Sequence, residues 1–161
     1  MILGALVLPL VAQGDAGDPT RDPAWPVLKQ LVGGAWEGTV GKNVKVRFKF
    51  SLQQNGRLFR ADGLIDAGSL HPLVATASVG WDPDAKQLYY LDQHGYDTVY
   101  FGHVYKQGDD LIWDFNGLSG DKGHYQTREI MSRNSYINMM RKEVDGKWVD
   151  LGFHISMKRA R

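Results

Sequence analysis

Residues 44–52 alternate strictly between apolar and polar side chains. Apolar residues occupy the even positions from Val44 to Leu52, and lysine, arginine or serine occupies each odd position. Because successive side chains of a strand point to opposite faces, this segment is predicted to be a strand with one face in a core and the other in water. A helix would scatter the same apolar residues around its circumference. Asn55-Gly56 follows and predicts a turn, after which a return strand begins at Leu58.

Similar segments, separated by turn-forming residues, continue to the end of the chain. Strands are predicted at 35–40, 44–52, 58–65, 73–81, 88–93, 98–106, 111–115, 124–132, 135–144 and 148–158. About ten consecutive strands with short connections favour a single up-and-down antiparallel β-barrel over a sandwich, because closure removes exposed strand edges. Residues 25–31 carry apolar side chains at helical spacing before Gly33-Gly34, so we expect one short N-terminal helix that plugs one end of this all-β fold.

The first residues differ in composition from the rest of the chain. Residues 2–12 are apolar and uncharged, a run too short to span a bilayer as a helix, which needs about 20 residues. The run matches the hydrophobic region of a secretory signal, although no basic residue precedes it. We therefore expect a signal peptide at 1–16, a linker at 17–27 and one barrel domain at 28–161, in a periplasmic or secreted protein with no integral membrane span. The alternative is a hydrophobic arm packed on the barrel.

Charge and composition limit the kinds of partner and of chemistry. The 19 basic and 18 acidic side chains nearly balance, so nothing indicates a nucleic-acid partner. The absence of cysteine excludes disulfides, thiolate nucleophiles and cysteine-based metal sites. The 5 histidines show no metal-ligand spacing, and no catalytic residues or phosphate loop can be assigned. The composition therefore favours a binding protein over an enzyme, without deciding between them.

Aromatic residues spread over consecutive predicted strands indicate a cavity that could hold a ligand. Aromatic side chains with polar tips stack against flat or apolar molecules and orient them by a few hydrogen bonds. We expect the face of strand 98–106 that carries Val99 and His103 to point inward. The candidate ligand-binding residues are Tyr90, Phe101, His103, Tyr105, Trp113 and Arg128. Ordinary barrel packing would account for the same aromatic residues, and Arg128 could lie on either face.

Several short motifs of the chain are distinctive. The segment Leu31-Val32-Gly33-Gly34-Ala35-Trp36-Glu37-Gly38 resembles the "LxGxWxG" opening of lipocalin-like (calycin) proteins, with one extra residue before the tryptophan. Gly56-Arg57-Leu58-Phe59, Gly80-Trp81-Asp82-Pro83 and the basic close of the last strand are similar to segments of a family of small, often secreted bacterial proteins of unassigned function. The likeness extends over 28–159 and implies a lipocalin-like barrel.

A related branch, the nitrobindins, is similar in length and barrel type. Nitrobindins bind heme through a histidine on the last strand, near a basic chain end. The resemblance implies that His154 could be a heme ligand here, although the flanking pattern of that strand is not clearly reproduced. Alternation places His154 on the face opposite Phe153 and Ile155, which leaves its orientation open.

These observations lead to one functional prediction and two alternatives. We expect a secreted or periplasmic barrel that binds a small apolar or aromatic molecule in its cavity without a cofactor. The first alternative is a heme-binding, nitrobindin-like barrel with heme-dependent chemistry. The second is a structural or interaction barrel with a filled core. The sequence indicates neither the oligomeric state nor the ligand.

Overall fold

Ten antiparallel strands form one closed barrel in the computed structural model, which describes residues 17–68 and 71–160. Each strand pairs with its neighbours in sequence, and the first strand pairs with the last. The strands are β1 (Ala35–Val40), β2 (Val44–Gln53), β3 (Leu58–Asp66), β4 (Leu73–Asp82), β5 (Gln87–His94), β6 (Thr98–Gln107), β7 (Asp110–Ser119), β8 (His124–Met131), β9 (Ser135–Val144) and β10 (Lys147–Arg159). The predicted up-and-down barrel is confirmed, and among the strands only β7 is markedly longer than expected.

The predicted short helix is also confirmed, as α1 (Trp25–Leu31), and it closes one end of the barrel. Its apolar side, including Trp25 and Leu28, is buried in the same core as the inward-facing strand residues. The indole Nε1 of Trp36 donates to the carbonyl of Leu31 at 2.7 Å, which ties the helix end to β1. The Arg159 guanidinium lies 4.6 Å from the Trp36 ring centroid, so the last strand contacts the same end.

Strand register shows which side chains face the barrel interior. Residues paired across neighbouring strands point to the same face, so Trp36 and its partner Phe48 define an inward set that continues around the ring. The buried members of this set form one apolar core. They include Val46, Phe50, Phe59, Ala61, Val79, Leu88, Tyr90, Val104, Leu111, Trp113, Phe115, Tyr125, Tyr136 and Met157.

The expected orientation of β6 is wrong. Val104 pairs with Trp113, and Gly102 pairs with Phe115, so the even-numbered residues of β6 face the interior. Gly102 leaves room for the neighbouring strand, since a Cβ there would lie 2.7 Å from the Cβ of Phe115. Both faces of β6 carry large apolar or aromatic residues, and for this reason alternation could not identify the inner one. The outward-facing residues are Val99, Phe101, His103 and Tyr105.

Two connections depart from regular strand geometry. The predicted turn at Asn55-Gly56 between β2 and β3 is confirmed, within a loop that contains a 3-10 turn at Gln54–Gly56 and gives Asn55 a φ of 56°. In β10 the register shifts between Asp150 and Phe153, and Gly152 there has a φ of 69°. This bulge separates the part of β10 that pairs along the barrel from the part that continues into the β9–β10 hairpin.

The predicted signal peptide lies in residues that the structure does not describe, so export stays a prediction. The segment expected to be a linker, 17–27, contains a 3-10 turn at Pro19–Arg21 and the start of α1. Within 17–68 and 71–160, no helix has the length and apolar character needed to cross a membrane.

Candidate functional site

The end of the barrel opposite α1 keeps inward-facing apolar side chains exposed. Leu73, Val149 and Phe153 are 41%, 45% and 49% exposed, whereas Trp36 and Leu88, toward the helix, are fully buried. The register places all three on the inner face, since they pair with Ile65, Lys142 and Met140 respectively. We call the region bounded by Leu73, His94, Tyr100, Val149 and Phe153 the open end. The described residues therefore leave an apolar rim there uncovered.

A buried carboxylate lies just inside the open end. Asp92 faces the interior and accepts a hydrogen bond of 2.5 Å from the hydroxyl of Tyr90. The Nε2 atom of His94 lies 2.8 Å from the same carboxylate oxygen. Burying a carboxylate is costly unless it is hydrogen-bonded, and these two contacts offset the cost. His94 is partly exposed, so it connects the buried Asp92 with the open end.

Burial keeps the tyrosine beside this carboxylate neutral. The pKa of Tyr90 lies well above its ordinary value, first because the phenol is buried and then because the charge of Asp92 opposes a second negative charge. Tyr90 therefore remains a hydrogen-bond donor to Asp92 throughout the physiological pH range. Its ring packs edge-on against Trp113 at 4.9 Å and against Phe115 at 5.4 Å between centroids.

Aromatic rings form one wall of the open end. Tyr100 packs edge-on against the His94 ring at 5.4 Å, against Phe115 at 5.3 Å and against Tyr125 at 5.9 Å. Burial also raises the pKa of Tyr100 above its ordinary value. Rings with apolar faces and polar tips are suited to a flat ligand that needs both stacking and hydrogen bonding.

A charged cluster lies at the rim beside this wall. The Tyr125 hydroxyl donates to Asp121, and Lys142 Nζ lies 3.2 Å from the same carboxylate. The ammonium group also lies over the Tyr125 ring, 5.0 Å from its centroid. Hydrogen bonds from Tyr125 and Lys142 hold the pKa of Asp121 below its ordinary value. The rim therefore presents a paired ammonium and carboxylate beside the aromatic wall.

A second carboxyl group lies deeper in the barrel. Glu129 is buried and faces Leu111 and Asn138 across β7 and β9, and its Oε1 accepts from Asn138 Nδ2 at 3.1 Å. Glu129 Oε2 and Trp113 Nε1 are buried without a hydrogen-bond partner among the described residues. Burial raises the pKa of Glu129 to about 7, although Asn138 and the nearby indole favour the charged form. Glu129 therefore retains its proton at a higher pH than an exposed glutamate does.

The residues predicted from the sequence are divided between the two faces of the barrel. Tyr90 and Trp113 lie inside and contact each other. The other four predicted ligand-binding residues lie on the outer wall, where each has a neighbouring side chain. These contacts are Phe101 with His103 at 6.0 Å between rings, His103 with Gln87 at 3.2 Å, Tyr105 with Gln126 at 3.2 Å, and Arg128 with Asp110 at 2.6 Å.

His154 also faces outward. It pairs with Met139 across β9, its side chain is 54% exposed, and its Nε2 lies 3.2 Å from Asp150. Asp92 and His94 were not predicted as site residues from the sequence. They lie two and four residues after Tyr90, respectively, on the same face of β5, so side-chain alternation could have identified them. Within the described part of the chain, no group of three or more histidine or acidic residues could hold a metal ion.

Comparisons with known proteins support the fold and assign no family. No family model matches the sequence, and no curated protein matches it. Among solved structures, the crystal structure of Rv2717c from M. tuberculosis is similar, with a TM-score of 0.60 and 13% sequence identity. The match covers 86% of this chain and 98% of that chain. At this identity the likeness extends to the fold alone: both chains form the same kind of β-barrel.

Proposed function

We propose that this protein binds a small molecule with a flat, apolar body in the open end of its barrel. The observation that carries the proposal is the exposure of inward-facing Leu73, Val149 and Phe153 at that end, opposite the helix. A sealed core would bury the part of these side chains that is still exposed, and each would gain about 1 kcal/mol from that burial. A ligand that covers them recovers this hydrophobic free energy.

The polar groups inside the rim indicate how such a ligand would be oriented. When His94 Nε2 donates to Asp92, the other ring nitrogen of the neutral imidazole is a hydrogen-bond acceptor. A ligand with one hydrogen-bond donor would meet this nitrogen while its flat body packs on the Tyr100 ring. The proposed site thus retains the apolar or aromatic ligand class expected from the sequence, with Asp92, His94, Tyr100 and Phe153 as the contacting residues.

Native mass spectrometry and a probe titration test this proposal. The purified protein is examined for a retained small molecule, and N-phenyl-1-naphthylamine, a neutral fluorescent probe, is titrated against it. Phe153→Ser is expected to weaken probe binding by about tenfold, because one aromatic contact is lost. Ile137→Ser is the matched control, since Ile137 has similar exposure, 43%, but lies on the outer face. Equal affinity for both variants, or no binding to wild type, would contradict the proposal.

Heme is a second candidate ligand because His94 has a carboxylate behind it. Imidazoles that bind metals usually donate their other ring N–H to a carboxylate or carbonyl, which orients the ring and increases its basicity. Asp92 supplies this partner to His94, and the aromatic wall of Tyr100 suits a flat macrocycle. Asp150 supplies a similar partner to His154, but on the exposed outer face. A heme would supply an iron centre for small diatomic ligands or electron transfer.

Hemin titration distinguishes the two histidines. We expect a Soret band on addition of hemin to wild type, and its loss or displacement in His94→Ala. His154→Ala is expected to retain the wild-type spectrum because its side chain faces away from the open end. A band that depends on His154, or that survives both substitutions unchanged, would rule out heme ligation by His94.

A further inference from the structure

The outer wall of the barrel carries a groove of about 940 Å³, separate from the open end. It extends from the β6–β7 turn across β7, β8 and β9 to the first residues of β10. The register places its wall residues on the outer face, apart from Met140, in rows of paired positions across the strands. The residues that matter for its chemistry are Ile112, Gln126, Arg128, Met139, Arg141 and Trp148.

Two residues of the groove floor are buried although they face away from the barrel interior. Ile112 is 2% exposed and Gln126 is 7% exposed. Gln126 Nε2 donates to the Tyr105 hydroxyl at 3.2 Å and to Asp114 at 2.9 Å, and its Oε1 accepts from Arg141 Nε at 2.9 Å. An outer barrel wall usually faces solvent, so a buried and fully hydrogen-bonded glutamine marks a packed, ordered surface.

Arg141 is held in this groove by neutral partners. Its Nε and Nη2 both donate to Gln126 Oε1, and its guanidinium lies over the Trp148 ring, 4.8 Å from the centroid. No ion pair joins Arg141 to a carboxylate in the part of the chain that the structure describes. The positive charge of Arg141 is therefore held in place without a carboxylate to neutralise it. Its Nη1 atom can still donate to a further acceptor.

The acidic residues that line the groove are each engaged elsewhere. Asp110 forms an ion pair with Arg128, and Asp109 lies 3.7 Å from Lys106 Nζ. Asp150 accepts from the backbone N–H of Gly152 at 2.7 Å and contacts His154. These contacts leave Arg141 as the cation of the groove that a bound anion would meet.

Contacts with His124 help to orient Trp148. The His124 ring lies 4.9 Å from the Trp148 ring, and its two nitrogens contact Asp114 at 2.6 Å and Glu143 at 2.7 Å. Asp114 first, and Glu143 to a smaller extent, raise the pKa of His124 above its ordinary value, and hydrogen bonds to both carboxylates hold the imidazole in place. The indole thus lies between two immobilised groups, which reduces the entropy lost when a ligand binds.

We propose that this outer groove is a second binding site, which takes a planar aromatic carboxylate. The carboxylate of the ligand accepts from the free edge of the Arg141 guanidinium, and its rings lie along Met139 and Trp148, above the buried Ile112. Arginine recognises carboxylates through paired, charge-assisted hydrogen bonds, and an apolar floor with a tryptophan edge covers an aromatic body. The site and its ligand do not depend on what the open end binds.

Titration with 2-naphthoate, followed by ¹⁵N–¹H NMR and calorimetry, tests the inference. We expect the largest shifts at the Trp148 indole N–H and the Arg141 Nε–H, with little change at Trp113. Arg141→Met should weaken binding by about tenfold or more, and neutral 2-naphthamide should bind wild type correspondingly more weakly. Arg133→Met is the charge-matched control, because Arg133 lies in the exposed β8–β9 turn, and it should keep wild-type affinity.

The NMR chemical-shift changes are measured on the wild-type protein alone, so they test the proposed outer site even if Arg141→Met does not fold. Phe153→Ser, at the open end, should leave the affinity for 2-naphthoate unchanged. Binding that is lost in Phe153→Ser, shifts confined to the open end, or equal affinity for 2-naphthoate and 2-naphthamide would overturn the outer site. An absence of binding at millimolar 2-naphthoate would overturn it as well.

Discussion

Replacing Glu129 with glutamine is expected to stabilise the barrel above neutral pH and to change its stability little near pH 4. Burial raises the pKa of Glu129 from 4.5 to about 7. The folded protein therefore holds a proton that the unfolded chain has released, and stability falls as the pH rises from the unfolded value toward the folded one. A shift of this size corresponds to about 3 kcal/mol, of which glutamine should recover about 1–3 kcal/mol because its amide must still find partners.

Urea denaturation at about pH 4 and about pH 8 checks this prediction. Glu129→Gln should have the higher midpoint at the alkaline pH, and the two proteins should converge at the acidic one. Glu37→Gln is the control, since Glu37 is exposed and forms a surface ion pair with Arg47. A wild-type protein as stable as Glu129→Gln at the higher pH would show that the buried carboxyl ionises without cost.

Trp113→Ala is expected to destabilise the barrel by about 3–5 kcal/mol, the usual cost of removing a large buried aromatic side chain. Trp113 is buried, packs against Tyr90 and lies near the unpartnered oxygen of Glu129. Urea melts measure the loss, and Trp148→Ala, which removes a partly exposed outer-wall tryptophan, should cost distinctly less. Equal losses for the two variants would contradict the assignment of Trp113 to the packed interior.

The same variant helps to distinguish a binding barrel from a filled one. If Trp113 belongs to the packed floor beneath a ligand site, wild type binds the neutral probe and Trp113→Ala loses several kcal/mol of stability. A large loss of stability together with no probe binding by wild type would instead leave a structural barrel with a filled core. Substitution of Phe153 at the open end should weaken binding of the neutral probe without a comparable loss of stability.

Part of the candidate site could be predicted from the sequence, and the remainder could not. Trp113 shares one face of β7 with Leu111 and Phe115, so alternation predicted its inward orientation. The inward orientation of Tyr90 could not be predicted in this way, because β5 also carries Tyr89 and Leu91 on the opposite face. The two faces of β6 are similarly apolar, because Tyr100 and Val104 lie on one face and Phe101 and Tyr105 on the other. The pairing of Gly102 with Phe115 decides the orientation, and pairing is a property of two strands together.

The sequence by itself determined the strands, their order and the short helix, because alternation, turn residues and helical spacing are local properties of the chain. Tertiary structure alone decided which end of the barrel is closed and which residues remain exposed at the other. Phe153 faces inward yet is half exposed because α1 covers the opposite end, and Asp92 is buried because the ring of strands closes around it. Burial depends on what packs against a residue from distant parts of the chain, and local periodicity carries no information about that packing.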